Sequence, residues 1–275
     1  MVVTLHRKFI ALKHGELFVL DTQTEKPVIV CLHGRWGRGE TWADLIRRYG
    51  DRYRVIAPDQ RGHGLSSKPV ARYTAEEMAE DVVELLDALG IETCVLIGHS
   101  MGAQNAAHVA ALHPARVSKL VLLDKTPEGP IVRIDTLPQD LPAVDPLTVD
   151  WPLPFSDRSA ARDFLRRELE SELACEYFMN SLVETPNGYC MMFSAQAMAA
   201  NIAYNIDWYN RLSEIASPTL LIRARDGDNM PDDVWEKTKR QLSNAMAREM
   251  PGTDHNVHLS DPERFYGFLD EFLDI

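Results

Sequence analysis

Short apolar runs alternate along the chain with stretches of helical period. Val28–Leu32, Tyr53–Ala57, Thr93–Ile97 and Lys119–Leu123 are continuous and rich in Val, Ile and Leu. Such runs suit parallel strands buried on both faces, because a half-exposed strand alternates apolar with polar residues. Phe9–Leu12 and Leu17–Leu20 flank His14-Gly15-Glu16 and predict a hairpin. Thr74–Leu89 predicts a helix that opens on a capping box (Thr74, Glu77) and stops at Gly90. Its Met78, Val82, Leu85, Leu86 and Leu89 share one face. Ser100–His113 predicts a second helix, rich enough in alanine to lie close against a sheet.

The rhythm breaks at Lys125. Seven of the 16 prolines fall between Pro127 and Pro154, too dense for regular elements. Helical pattern follows over Ser159–Met179 and Met191–Leu212. A strand at Pro218–Ile222, a helix at Asp232–Leu242 and a strand at Ala245–Met250 then resume the alternation. A last helix sets Phe265, Phe268, Leu269, Phe272 and Leu273 on one face. The fold class is α/β: a mostly parallel central sheet flanked by helices, built from 1–124 and 218–275 and interrupted by a mainly helical insertion, 125–217.

With 275 residues, 45% hydrophobic and 25% charged, the composition is that of an ordinary soluble globular protein. A net charge of −12 argues against nucleic acid as a partner, since phosphate binding draws on clustered Lys and Arg. Seven of those twelve excess negative charges lie in 125–217. The N-terminal MVVTLHRKFIALKHGELF lacks the apolar stretch and cleavage site of a signal peptide, and no window reaches 18 apolar residues, so no membrane partner is expected. Cys31, Cys94, Cys175 and Cys190 have neither zinc nor redox spacing. The expectation is a cytoplasmic protein acting on a small molecule, without metal or cofactor, and with room for a homo-oligomer.

The strongest chemical signal is Gly98-His99-Ser100-Met101-Gly102, set between a predicted strand and a predicted helix. A serine in that turn is lifted clear of the sheet and held near a helix N-terminus, where orphan N–H groups favour negative charge. With this motif the chain resembles the α/β-hydrolase fold superfamily across its whole core. Four further segments carry the likeness: His33-Gly34 in CLHGRWG, the DQRGHGLS turn from Asp59, HPARVSKLVLLD from His113, and GTDHNVHLSDPERF from Gly252. The resemblance implies Ser100 as nucleophile, His255 as base, the backbone amides of Arg35 and Met101 as oxyanion hole, and 125–217 as a cap. His258, one helical turn from His255, is the competing base. Asp254 stands where the family carries a second glycine, so the turn before the base differs.

Two aspartates compete for the triad acid. Most of the family uses an Asp after the strand that here reads LLIRARDGDNMP, where Gly227 stands at the expected position and Asp228 follows; Asp226 is a weaker option. Asp124, at the end of the preceding strand, is used in some subfamilies, and the displaced Gly227 tilts the choice toward it. An Asp there can also simply anchor the following loop.

These parts imply hydrolysis of a small or medium, mostly apolar ester or lactone through an acyl-enzyme. Amide or C–C bond hydrolysis, or a non-hydrolytic receptor or lyase on the same fold, are the alternatives. Trp36, His99, Trp151 and Trp208 are candidate substrate contacts, although aromatic stripes more often pack a core. Arg158, Arg162, Arg166 and Arg167 recur at helical spacing and read mainly as a salt-bridged face; one of them, or Arg35 or Arg223, could instead recognise a carboxylate. If the cap's acidic excess lines the mouth, neutral or cationic substrates are favoured.

Overall fold

The computed structural model describes residues 3–169 and 171–274. The core runs β1 (His6–Leu12), β2 (Gly15–Asp21), β3 (Val28–Leu32), α1 (Ala43–Tyr49), β4 (Arg54–Pro58), α2 (Ala75–Ala88), β5 (Cys94–His99), α3 (Met101–Leu112) and β6 (Val117–Leu123). The insertion carries α4 (Arg158–Glu168), α5 (Glu172–Met179), β7 (Leu182–Thr185), β8 (Gly188–Met191), α6 (Ala195–Tyr204) and α7 (Tyr209–Leu212). The core then returns with β9 (Thr219–Ala224), α8 (Asp232–Gln241), β10 (Ala245–Met250), α9 (Val257–Ser260) and α10 (Pro262–Leu273).

One eight-stranded sheet has the order β1-β2-β4-β3-β5-β6-β9-β10. β2 runs antiparallel to both its neighbours, and the remaining pairs are parallel. Its two faces bury separate cores, which is why the strand runs show no polar alternation. Leu96 of β5 joins Val82, Ala106 and Val234 on one face, while Val95 and Ile97 join Ile46 and Leu269 on the other. α3 lies tight on the sheet: a Cβ on Gly102 would stand 2.3 Å from the Leu32 carbonyl oxygen. α2 forms as expected, with the Thr74 hydroxyl accepting from the Glu77 amide at 3.2 Å.

The insertion departs from its pattern. Between β6 and α4 the described residues hold no helix or strand, as the prolines require. The helical stretch from Ser159 divides before Ser171, whose hydroxyl caps α5 by accepting from the Ala174 amide. The β7–β8 hairpin was not expected from the sequence; it turns through Pro186-Asn187-Gly188, where Gly188 adopts φ +124° against the Phe155 carbonyl. α1 was also not expected. At seven residues it is too short to carry a clear helical period.

The parallel strands β5, β6 and β9 end side by side, and the chemistry gathers at those carboxyl ends, the edge where open α/β sheets bind ligands.

Candidate active site

Ser100 follows β5 directly and adopts φ +52°, ψ −119°, a conformation a side chain enters only when its surroundings force it. Its amide donates to the Leu123 carbonyl at 2.9 Å, and its own carbonyl accepts from the Ala103 amide to start α3. The flanking glycines are sterically required. A Cβ on Gly98 would meet the Gly102 carbonyl oxygen at 2.2 Å, and one on Gly34 would meet Nδ1 of His99 at 2.7 Å.

Asp124 emerges from β6 one strand over, also left-handed at φ +46°. It is 1% exposed, and its carboxylate is fully engaged. One oxygen accepts from the Ala224 amide at the end of β9 at 2.9 Å; the other lies 2.7 Å from Nδ1 of His255. That contact fixes the imidazole's orientation and sets its proton on Nδ1, leaving Nε2 as the acceptor nitrogen. His255 sits after β10 in a loop with its own braces. Asp226 accepts from the Gly252 amide at 2.9 Å, and Asp254 accepts from the Asn256 amide at 2.8 Å and from the Ser260 hydroxyl. The carboxylate that replaces the family's second glycine therefore closes the turn with side-chain bonds. Asp228 stands exposed and, among the described residues, bonds to no histidine.

His33-Gly34-Arg35-Trp36-Gly37 forms a turn closed by the Gly37 amide on the Gly34 carbonyl at 3.1 Å. Trp36 takes φ +65° within it, a position that glycine usually fills. Below it, His33 donates from Nδ1 to the Gly34 carbonyl and accepts at Nε2 from the Gln60 amide, which ties the DQRGHGLS segment to the turn. From above, the insertion supplies hydroxyls. Tyr177 of α5 stands 3.2 Å from both the Gly34 and Arg35 carbonyl oxygens, and Ser181 donates to the Trp36 carbonyl at 2.6 Å. Burial pushes the Tyr177 phenol well up, so it stays a donor. The amides of Arg35 and Met101 donate to no protein acceptor among the described residues.

The other candidate histidines are buried and neutral. Burial drives His33 down to about 4 and His258 down to about 3, and holds His99 well below the usual imidazole range. His258 stacks on Trp42 at 4.5 Å, and His99 uses Nε2 on the His255 carbonyl at 2.9 Å. His258 is thus a packed core residue beside His99 and Trp42.

A cavity of about 760 Å³ opens over Ser100 and His255. Trp36 and His99 line it; Trp151 does not, packing instead against Phe164 and Phe178. Trp208 is buried against His108 and lines only a second, smaller cavity. Phe178, one of the insertion's aromatic residues, lines the main cavity; Tyr177 and Leu147 line it without having been singled out in the sequence, because no local pattern separates them from their neighbours in the insertion. The acidic excess of the insertion is not what lines the mouth. Among the described residues only Glu168 comes from it, whereas Asp226, Asp228 and Asp254 come from core loops. Of the helical arginines, Arg162 pairs with Glu176 and Arg166 with Glu172, as a solvated face should.

The sequence model of the alpha/beta hydrolase fold family matches residues 27–262. The 2-(acetamidomethylene)succinate hydrolase of Mesorhizobium japonicum is 28% identical, over 90% of this chain and 88% of its own. The 2-hydroxy-6-oxononadienedioate/2-hydroxy-6-oxononatrienedioate hydrolase of Paraburkholderia xenovorans is 30% identical, over 97% and 94%. A crystal structure of E-2-(acetamidomethylene)succinate hydrolase superposes with a TM-score of 0.85 and 25% identity, covering 99% of this chain and 100% of that one. The chain belongs to the alpha/beta hydrolase fold family, and it is a hydrolase.

Proposed function

We propose that the protein is a serine hydrolase of small or medium, mostly apolar carboxylic esters or lactones, working through Ser100, His255 and Asp124. The observation that carries this reading is the 2.7 Å contact from His255 Nδ1 to a buried Asp124, beside a serine held at a strained elbow. In the first half-reaction Ser100 Oγ attacks the carbonyl carbon while His255 Nε2 takes its proton. Asp124 stabilises the imidazolium that results. The unpartnered amides of Arg35 and Met101 receive the oxyanion, a contribution of roughly 3–4 kcal/mol per donor in comparable sites. The tetrahedral adduct collapses, His255 gives its proton to the leaving alkoxide, and the acyl group stays on Ser100. Water then attacks the acyl-enzyme with His255 as base, and the acid product leaves.

A fluorophosphonate probe and a panel of short acyl esters, lactones and amides test this. Labelling of the wild type with loss in Ser100→Ala, and turnover of esters ahead of amides, is the expected result. Absence of labelling in the wild type would overturn the nucleophile. Amide hydrolysis on the same residues is the second reading, favoured by the relative named for an acetamido-bearing substrate; amides turning over ahead of esters would establish it. The thiols of Cys31, Cys94, Cys175 and Cys190 are free, which supports a reducing compartment such as the cytoplasm.

A further inference from the structure

A second cavity, of about 170 Å³, shares Arg35 with the cavity over Ser100. Arg35 lines both spaces, and Lys125, the residue after Asp124, lines the second. These two cations differ from the other cations near the core. Arg223 is spent on Glu249 and Asp232, and Arg61 on Asp81. Neither Arg35 nor Lys125 forms an ion pair or donates a side-chain hydrogen bond among the described residues. The Arg35 guanidinium instead lies over the Trp36 ring at 4.4 Å.

Holding two like charges together, partly buried and unpaired, is unfavourable by desolvation and by mutual repulsion. Burial, with Arg35 adding to it, pushes the Lys125 ammonium down to about 8, and burial lowers Arg35 as well. The carboxylates nearby relieve this only in part, through the attraction of the buried Asp145 for Arg35, and neither Asp145 nor Glu128 forms an ion pair with Arg35 or Lys125 among the described residues. One Asp145 oxygen accepts from the Trp36 indole and the Thr148 hydroxyl and the other is buried without a hydrogen-bond partner, and Glu128 is exposed at the edge of the second cavity. The remaining polar groups there offer no acid: Gln104 donates to Asn205, whose side chain is engaged with backbone.

We propose that Arg35 and Lys125 form an anion subsite that takes a carboxylate on the acyl portion of the substrate. This rests on the ester-hydrolase reading above and changes its substrate class from mostly apolar esters to half-esters of dicarboxylic acids. The guanidinium offers paired N–H donors that match a carboxylate, and the ammonium adds a point charge from the second cavity. Arg35 would then act twice, its backbone amide on the oxyanion and its side chain on the far end of the same acyl group. The acidic rim of Glu168, Asp226, Asp228 and Asp254 does not oppose this at contact range, because exposed charges are screened at physiological salt.

The test compares kcat/KM for the mono-p-nitrophenyl esters of succinic and glutaric acid with p-nitrophenyl butanoate and pentanoate. The ratio of acidic to neutral ester should fall about tenfold or more in Lys125→Gln, the scale of a lost charged hydrogen bond, and recover in Lys125→Arg. Lys125→Met and Arg35→Met give the same reading should Lys125→Gln not fold. Arg167→Gln, which removes one exposed cation of the insertion, should leave the ratio unchanged. A ratio that does not move in the Lys125 and Arg35 variants, or that falls equally in Arg167→Gln, overturns the subsite. If free succinate alters turnover of the neutral ester through Lys125 while the ratio stays fixed, the site takes a free anion and the substrate assignment is wrong. A wild type that cleaves none of the four esters breaks the ester-hydrolase reading instead.

Discussion

The two walls of the main cavity are built on different principles. Below, the residues are tied to neighbouring backbone: the Ser100 amide to Leu123, the Asp124 amide to Ile222, and the carboxylates of Asp124, Asp226 and Asp254 to the amides of Ala224, Gly252 and Asn256. Above, the insertion touches the machinery through side-chain tips, namely the hydroxyls of Tyr177 and Ser181 on the Gly34–Trp36 turn. It holds itself together by an aromatic cluster around Phe178. Carboxylates locked onto backbone amides leave little freedom to the loops that carry them, whereas tip contacts and aromatic packing can be retuned one residue at a time. On the proposed reading the lower wall carries the triad, and the upper wall acts on it through the Gly34–Trp36 turn.

The largest effect that could break this division comes from the acid. Asp124→Asn should leave the fold intact yet lower kcat on a p-nitrophenyl ester by about ten-thousand-fold, because the amide stabilises the wrong imidazole tautomer. Asp228→Asn, an exposed change, should leave kcat within about twofold. If the two results were reversed, the lower wall would be organised around β9 and the Asp124 contact would be mere loop anchoring.

How much of this was legible in the sequence follows the same division. β3 reads correctly to the residue, because a strand buried on both faces carries a continuous apolar run; β10 matches its expected bounds as well, although it is a half-buried edge strand with Arg248 and Glu249 in it. The serine elbow announces itself because its geometry demands glycines at 98 and 102. The acid was ambiguous for a physical reason. Asp124 and Asp228 both follow parallel strands at the same edge of the sheet, and only the three-dimensional path of the histidine loop decides which one the imidazole meets. The insertion was least legible. Its hairpin depends on the Asn187-Gly188 turn and on the Phe155 backbone some thirty residues earlier, and Tyr177 and Lys125 gain meaning only from what surrounds them. The acid balance of the insertion misled about the mouth, since net charge says nothing about which way a carboxylate faces.

A smaller effect sharpens the contrast through pH. All nine histidines lie outside 125–217, so any acid lability that comes from buried imidazoles is a property of the core. His258 binds its proton in the folded state only near about 3, against an ordinary value near 6.5. The unfolded chain therefore binds more protons than the folded one below about pH 6.5, and stability is lost as pH falls through that window toward 3. Between pH 6.5 and 5 this single group should remove roughly 2 kcal/mol of unfolding free energy. His258→Phe, which keeps an aromatic ring against Trp42, should lessen the decline by that amount in urea melts at the two pH values. An equal decline in both proteins would mean that His258 is protonated in the fold.

The smallest effect tests the upper wall directly. The Tyr177 phenol is held against the turn so closely that a Cβ on Gly37 would lie 2.1 Å from its oxygen, so the contact is built into the backbone beneath it. By occupying the Gly34 and Arg35 carbonyls it holds those peptide units with their oxygens toward the insertion, and the Arg35 amide is left without a protein acceptor. Tyr177→Phe keeps the ring and removes only the hydroxyl, a loss of about 1 kcal/mol of neutral hydrogen bonding. If the hydroxyl serves to aim the oxyanion donor, that energy is felt where negative charge develops. The expected outcome is a kcat about fivefold lower with KM nearly unchanged, together with a matching loss in the rate of fluorophosphonate labelling. Ser181→Ala, which frees the Trp36 carbonyl two peptides from the donor, should do less. A rise in KM with kcat unchanged would mean that Tyr177 only shapes the cavity, and the insertion would then have no part in the chemistry of the wall below it.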